Sequence, residues 1–303
     1  MKSHQILLNF DKIDINKIVF TELKDTEWID TQKIAYVNYL DENNKSKQFC
    51  IKTPEICIED GGIPNTRFQK EDKDRAYLKF PFCHERKKEK EIEYNEIETL
   101  YNKLKEIDAM FDSEVIRKKI LGDKLYNQYT YIPIIRNPEE EDEEEKEKNK
   151  EKKEKYKAPT MKLKIELDYN STEENKPPKL TVYEKIKKEN KEMTFNNISE
   201  LYEFVKFKSN IKCIFSFSKL YAFKNKIGSE KRKYGITLKL LFLTIKRKLD
   251  DNIKNNNLEN PFDSDNDNDN DNDNDNDNEE IKNINPVVHK LNISDDEDTD
   301  NEN

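Results

Sequence analysis

The sequence predicts a mainly β (α+β) fold with one or two helices in a single body over residues 1–249, followed by a disordered acidic tail over 250–303. Three observations predict it. Short runs rich in β-branched and aromatic residues recur along the body, punctuated by Gly, Pro, Asn and Asp. One segment alone carries helical periodicity: Ile97, Leu100, Tyr101, Leu104, Ile107 and Phe111 recur at i, i+3, i+4, i+7, i+10 and i+14. The Asp-Asn repeats of 265–278 hold nothing apolar to bury.

Taken in order, Ile34–Leu40 and Gln48–Thr53 flank the turn-forming Asp41-Glu42-Asn43-Asn44 and predict a hairpin with a loose loop. Thr53-Pro54 ends the second strand, because proline has no N–H for the ladder, and Gly61-Gly62-Ile63-Pro64 marks another turn. Arg75–Phe82 reads as a strand ending near Pro81. The amphipathic helix follows, and a shorter helical stretch over Val115–Leu121 stops at Gly122. Tyr129–Arg136 is strand-like. The Glu/Lys run at 137–157 reads as an insertion outside the core, either a solvated helix or disordered. Met161–Leu167 alternates strictly, as a half-buried antiparallel strand must. Leu180–Tyr183 is a short strand, and Asn197 caps a helix through Leu201, Phe204 and Val205. Two long β runs, Ile211–Lys224 and Lys233–Lys248, predict a long hairpin around a polar loop with Gly228. No 20–50-residue repeat is visible, which argues against solenoids and propellers.

Composition bounds the core. Of 303 residues, 39% are charged and 33% apolar, below the ~45–50% apolar share of globular domains. The charge is segregated. Residues 250–303 hold nineteen acids and three lysines, net −16, leaving 52 basic and 45 acidic residues, net +7, in 1–249. The run 137–155 takes ten acids and six bases, so the rest of the body stands at +11. A basic body points to a polyanion partner, and a tethered acidic tail can compete for the same surface. A tail that only solvates the chain is the alternative. Ser264 and Ser294 precede acidic residues, where phosphorylation would deepen the tail's charge.

Several chemistries are excluded. Glycines 61, 62, 122, 228 and 235 cannot form G-x-G-x-x-G or G-x-x-x-x-G-K-[ST], so Rossmann and P-loop phosphate cradles are absent. With His4 and His289 in polar terminal segments beside His84, neither a His-centred triad nor a three-His zinc site is expected. Cys50, Cys57 and the Cys83-His84 pair match no zinc-ribbon spacing. The first residues lack the apolar core of a secretory signal, so these cysteines and Cys213 read as reduced thiols. The apolar-rich stretch Ile236–Ile245 is too short for a bilayer span and is broken by Lys239. A nuclease needs clustered carboxylates for Mg²⁺; Asp108 and Asp112 are the one spaced pair, and they read as solvated charges on the helix surface. The expectation is a non-enzyme with no catalytic residue, metal, cofactor, membrane contact or small-molecule substrate.

The densest feature is the basic hairpin. Between Lys206 and Lys248 lie thirteen basic residues and one acid, Glu230, interleaved with Phe207, Phe215, Phe217, Tyr221, Phe223, Tyr234 and Phe242. Cations tracking a phosphate backbone, with rings for unstacked bases, suit single-strand binding. Cys213, Phe215, Phe217, Tyr221 and Phe223 share one period-two face, as do Ile236, Leu238, Leu240 and Phe242; such rows are also what a sheet's core face looks like. Sheet lysines can also serve only to block edge-to-edge pairing. The leading contact candidates are the loop residues Lys224, Lys226, Lys231, Arg232 and Lys233 with Tyr221 and Tyr234, expected to be exposed, together with Lys219 and Lys239 of the strands. A second set is Arg75, Tyr77 and Lys79, with Lys162 and Lys164 on the polar side of their strand.

The segment order Ile34–Leu40, Ile51-Lys52-Thr53-Pro54, Arg75-Ala76-Tyr77-Leu78-Lys79-Phe80, Tyr131-Ile132-Pro133-Ile134-Ile135-Arg136, Tyr156-Lys157-Ala158-Pro159-Thr160-Met161-Lys162-Leu163-Lys164 and Tyr234-Gly235-Ile236-Thr237 spans residues 33–248. It resembles the OB-fold single-stranded-DNA-binding-like proteins of large nucleocytoplasmic DNA viruses, of the mimivirus, phycodnavirus and asfarvirus kind. The resemblance implies a decorated OB-like antiparallel barrel that binds single-stranded DNA, or RNA, without sequence preference. It also implies a role in viral genome replication, repair or packaging, residence in the host cytoplasm at the viral factory or in the virion, and replication or packaging proteins as partners of the acidic tail. Two features depart from the pattern: the long 137–155 insertion, and a tail ending Thr299-Asp300-Asn301-Glu302-Asn303 instead of an aromatic tip, although Asn260-Pro261-Phe262 offers an internal aromatic. The alternative is a virion structural or scaffolding protein whose basic hairpin docks an acidic protein partner; a preference for single strand over duplex separates the two.

Overall fold

The computed structural model describes residues 5–246 less 28, 60, 68, 83–90, 139–157, 171–175, 187, 188, 206, 207, 227 and 229, with the backbone alone at 91–94. The expected acidic tail, and the charged insertion apart from 137 and 138, lie outside the described residues. The strands of the N-terminal third are β1 (Ile6–Asn9), β2 (Ile18–Phe20), β3 (Lys24–Thr26), β4 (Ile29–Ala35), β5 (Val37–Leu40), β6 (Ser46–Lys47), β7 (Phe49–Lys52), β8 (Ile56–Cys57) and β9 (Tyr77–Pro81). There follow β10 (Tyr129–Ile132), β11 (Ile135–Arg136), β12 (Thr160–Lys164), β13 (Thr181–Ile186), β14 (Glu189–Met193), β15 (Asn210–Phe223) and β16 (Arg232–Lys246). Among the described residues four α-helices interleave: α1 (Asp72–Arg75), α2 (Glu91–Asp112), α3 (Glu114–Leu121) and α4 (Ile198–Phe204). The chain is mainly β, as composition and turn spacing predict.

The predicted long hairpin forms and is the spine of the fold, with β15 antiparallel to β16 from Asn210↔Lys246 to Ala222↔Tyr234. Three short strands abut each flank end to end. On β16 these are β10, β12 and β13, all parallel to it; on β15 they are β4, β7 and β8, all antiparallel. Beyond them β9 pairs with β12, β14 with β13, β3 with β4 and β1 with β7. A separate three-stranded sheet is β2-β5-β6. The antiparallel barrel expected from the resemblance is not what forms, because the large sheet is open and mixed. Barrel closure needs neighbouring strands staggered in one continuous direction, whereas here both edges of the spine are occupied by short segments laid in line.

Local rules held where the signals were local. Asp41 accepts from the backbone N–H of Asn43 and Lys45 and pairs with the Lys47 ammonium at 2.7 Å, closing the turn between β5 and β6. These contacts hold its carboxyl down at about 2. The expected partner of 34–40 was the whole run 48–53, yet β7 leaves that hairpin to pair with β1 and β15. Its residues Phe49, Cys50 and Ile51 are all buried, and a strand apolar on both faces belongs in the middle of a sheet. The strand predicted at Met161–Leu167 is antiparallel to β9 but parallel to β16.

The α2 face Ile97, Leu100, Leu104, Ile107 and Phe111 is buried as its periodicity requires. α3 begins at the Ser113 hydroxyl, which accepts from Ile116 N–H, and ends at Gly122 with φ +82°. Asn197 Oδ1 accepts from Glu200 N–H at 2.8 Å, and the Glu200 carboxylate accepts in return from Asn196 N–H. Asp108 corrects the reading of it as a solvated surface charge. It is buried, and it accepts from Tyr131 Oη, Ile134 N–H and Ile135 N–H, so it ties the turn between β10 and β11 to the helix.

Candidate nucleic-acid interface

Two β-bulges decide which residues the spine turns outward. Phe217 pairs with Leu238 and Lys219 with Thr237, leaving Ser218 as an extra residue on β15; Ile214 pairs with Phe242 and Phe215 with Leu240, leaving Leu241 extra on β16. Before Ser218 the core takes Ile211, Cys213, Phe215 and Phe217; after it the core takes Leu220 and Ala222. Tyr221 and Phe223, expected on the face of Phe217, are therefore on the other face with Lys219. In the same way Leu243 and Ile245 are buried in place of Phe242.

The strands beside the spine complete that outward face. Leu78 and Phe80 of β9 and Met161 and Leu163 of β12 are buried, so Lys79, Lys162 and Lys164 point the opposite way. Lys79 is paired in register with Lys162, Tyr77 with Lys164, and Lys164 with Lys239 of β16. Arg136 closes β11 against Thr160. Lys79, Arg136, Lys162, Lys164 and Lys219 thus gather on one surface from four strands that are distant in sequence. Among the described residues no carboxylate is paired with any of the five. Lys239, beside them, pairs with Glu166.

The electrostatics register this crowding. Burial pushes the Lys162 ammonium below its ordinary value, and Arg136, Lys79 and Lys164 push it further. Burial followed by Lys164 does the same to Lys219. The Lys162 ammonium sits 3.9 Å from the centre of the Tyr77 ring, a cation–π contact that compensates in part for lost water. Like charges held together without counter-ions repel, and an incoming polyanion relieves that repulsion.

At one end of this face Tyr221 lies across Gly235: a Cβ there would stand 2.9 Å from Tyr221 Oη and 3.1 Å from the Ile132 carbonyl oxygen. Glycine leaves room for the ring, which covers the bare backbone in turn. Phe223 meets Tyr221 edge-on at 5.3 Å.

The hairpin loop does not form the site expected of it. Tyr234 was expected to be exposed, but it is fully buried and donates its hydroxyl to the Phe111 carbonyl at 2.7 Å, because β16 turns it toward α2. Lys224 is held by Asp25 at 2.7 Å, and Arg232 lies over the Tyr129 ring. Lys226 and Lys231 are exposed and Lys233 is half-buried. Arg75 is also corrected as a contact residue. It is wholly buried, donating to the Pro64 carbonyl and Ser199 Oγ and pairing with Asp72, whose carboxylate also accepts from Ile198 N–H at the start of α4. Tyr77 is buried beneath Lys162 and offers no free ring face.

Arg136 is the member that sequence reading missed. Its place beside Lys162 depends on the pairing of β11 with β12, across the charge run, and no local pattern encodes that pairing. Among the described residues no three His, Cys, Asp or Glu side chains gather as a metal site. Cys83 and His84 lie outside the described residues. Cys50 and Cys213 are buried free thiols, and burial pushes Cys50 up to about 11. No known protein family and no curated protein matches this chain.

Proposed function

We propose that this chain binds nucleic acid through the outward face of its large sheet, without sequence preference and with single-stranded DNA as the favoured form. The observation that carries the reading is the group Lys79, Arg136, Lys162, Lys164 and Lys219, five cations with which no carboxylate among the described residues is paired. A phosphodiester chain supplies the missing anions, and ammonium and guanidinium groups contact phosphates whatever the base. The Tyr221–Phe223 pair at one end adds ring surface for unstacked bases, which a duplex does not present. A role in viral genome replication, repair or packaging at a cytoplasmic factory rests on the order of sequence segments alone, as does recruitment of replication proteins by the acidic tail.

A second reading is supported by the burial of Tyr77 and Tyr234, which removes two of the expected stacking platforms. On that reading the same face docks an acidic protein surface in a virion or scaffold.

The test is fluorescence anisotropy of labelled oligo(dT) with the full chain, with duplex as competitor and at several salt concentrations. Five phosphate contacts predict a slope of log affinity against log salt near −3.5, at about −0.7 per contact. Lys162→Gln with Lys219→Gln should flatten the slope by about 1.4 and weaken binding roughly tenfold. If neither form binds, the protein-docking reading takes over; if duplex competes as well as single strand, the single-strand preference falls; if the double variant binds like the parent, the face is wrongly placed.

A further inference from the structure

Resting on the reading above, one acid beside the cationic face calls for explanation. Among the described residues Glu166 is the carboxylate that reaches this face, and it grips Lys239. It follows β12 directly, two residues beyond Lys164, and the chain there is fixed. Ile165 N–H donates to the Ala76 carbonyl, and the Glu166 carbonyl accepts from Lys179 N–H at 2.7 Å. Lys239 in turn is the cross-strand neighbour of Lys164. The pair is not buried, the side chains being 28% and 39% exposed for Lys239 and Glu166, so it contributes little to stability. Its position is what distinguishes it. Lys239 would otherwise be a sixth cation continuing the row from Lys79 through Lys162 and Lys164 toward Lys219.

We propose that Glu166 is a built-in competing anion, which withholds Lys239 from a bound phosphodiester chain and so lowers the salt concentration at which the face releases its ligand. A phosphate approaching Lys164 must either leave Lys239 with Glu166 or displace that carboxylate and carry its repulsion. In both cases the face works with one contact fewer than its cations allow. Binding weakened in this way is released at lower salt, although its dependence on salt is shallower by one contact.

The experiment compares full-length wild type, Glu166→Gln, Lys239→Gln and the double variant by oligo(dT) anisotropy across a salt series, with circular dichroism melts to confirm that each is folded. Glu166→Gln is expected to bind about two- to fivefold tighter, in line with release of one exposed ion pair, and to steepen the salt slope by about 0.7. Lys239→Gln alone should change affinity little, and in the Glu166→Gln background it should erase the gain. A general change of charge would instead have Lys239→Gln alone weaken binding as much as Glu166→Gln strengthens it. If wild type binds and Lys162→Gln weakens it while Glu166→Gln changes nothing, the competing-anion role falls and the nucleic-acid face stands. If Glu166→Gln tightens binding equally with and without Lys239, the effect is long-range charge and the role again falls. Absence of binding by wild type and Glu166→Gln alike overturns both.

Discussion

Asp108 is where burial and hydrogen bonding oppose each other most directly. Burial lifts its carboxyl above the ordinary value, while Ile134 N–H, Ile135 N–H and Tyr131 Oη pull it down, and burial prevails. With the folded value raised, protonated Asp108 favours the native state. Its contribution is complete below the unfolded carboxyl's value and is lost as pH rises through the folded one. Asp108→Asn should therefore gain on wild type in melting temperature between pH 4 and pH 7, followed by circular dichroism; a constant difference across that range would remove the assignment. Asp108→Ala strands two buried backbone N–H groups, and a loss of about 2–4 kcal/mol is expected at either pH. Sequence gave little warning, since an acid at helical spacing beside Asp112 looks solvated until the turn before β11 is folded onto it. Arg75 teaches the same lesson: its charge was plain, but its burial against Pro64, Ser199 and Asp72 was not.

At the scale of elements α2, α3 and α4 were legible, whereas α1, whose Arg75 reads as the start of a strand, and the faces of strands were not. The α2 stripe and the caps Gly122 and Asn197 are short-range patterns, complete within a few residues. Asn197→Ala should cost about 1 kcal/mol, read from urea unfolding; no change would mean that Glu200 and Asp72 secure the start of α4 without it. In the long hairpin the apolar pattern located both strands, but period two misassigned Tyr221, Phe223 and Phe242, because Ser218 and Leu241 each add a residue to one strand only. The bulge is a backbone feature, so Ser218→Ala should stay within about 0.5 kcal/mol of wild type. Deleting Ser218 would bring Lys219↔Thr237 directly after Phe217↔Leu238, a regular ladder with Lys219 and Tyr221 still outward, so a cooperative melt is expected to persist; its loss would show that the spine needs the bend the extra residue gives.

For the molecule as a whole, the cationic face is a strain that the fold carries. Screening by salt should relieve it: raising NaCl from 0.05 to 0.5 M is expected to increase the melting temperature of wild type by more than that of Lys162→Gln/Lys219→Gln. Equal shifts in the two proteins would mean that the five cations repel too weakly to matter. By itself the sequence determined the β-rich class, the helix, the caps, the central hairpin and the separation of a basic body from an acidic tail, because each depends on residues close in the chain or on composition alone. Tertiary structure decided that the sheet stays open, that the expected tip residues Tyr234 and Lys224 are taken up by Phe111 and Asp25, and that Lys79, Arg136, Lys162, Lys164 and Lys219 meet. Those outcomes depend on which strand pairs with which, and on where a ladder slips by one residue. Pairing between segments distant in the chain is set by competition among many similar apolar edges, which no local period records.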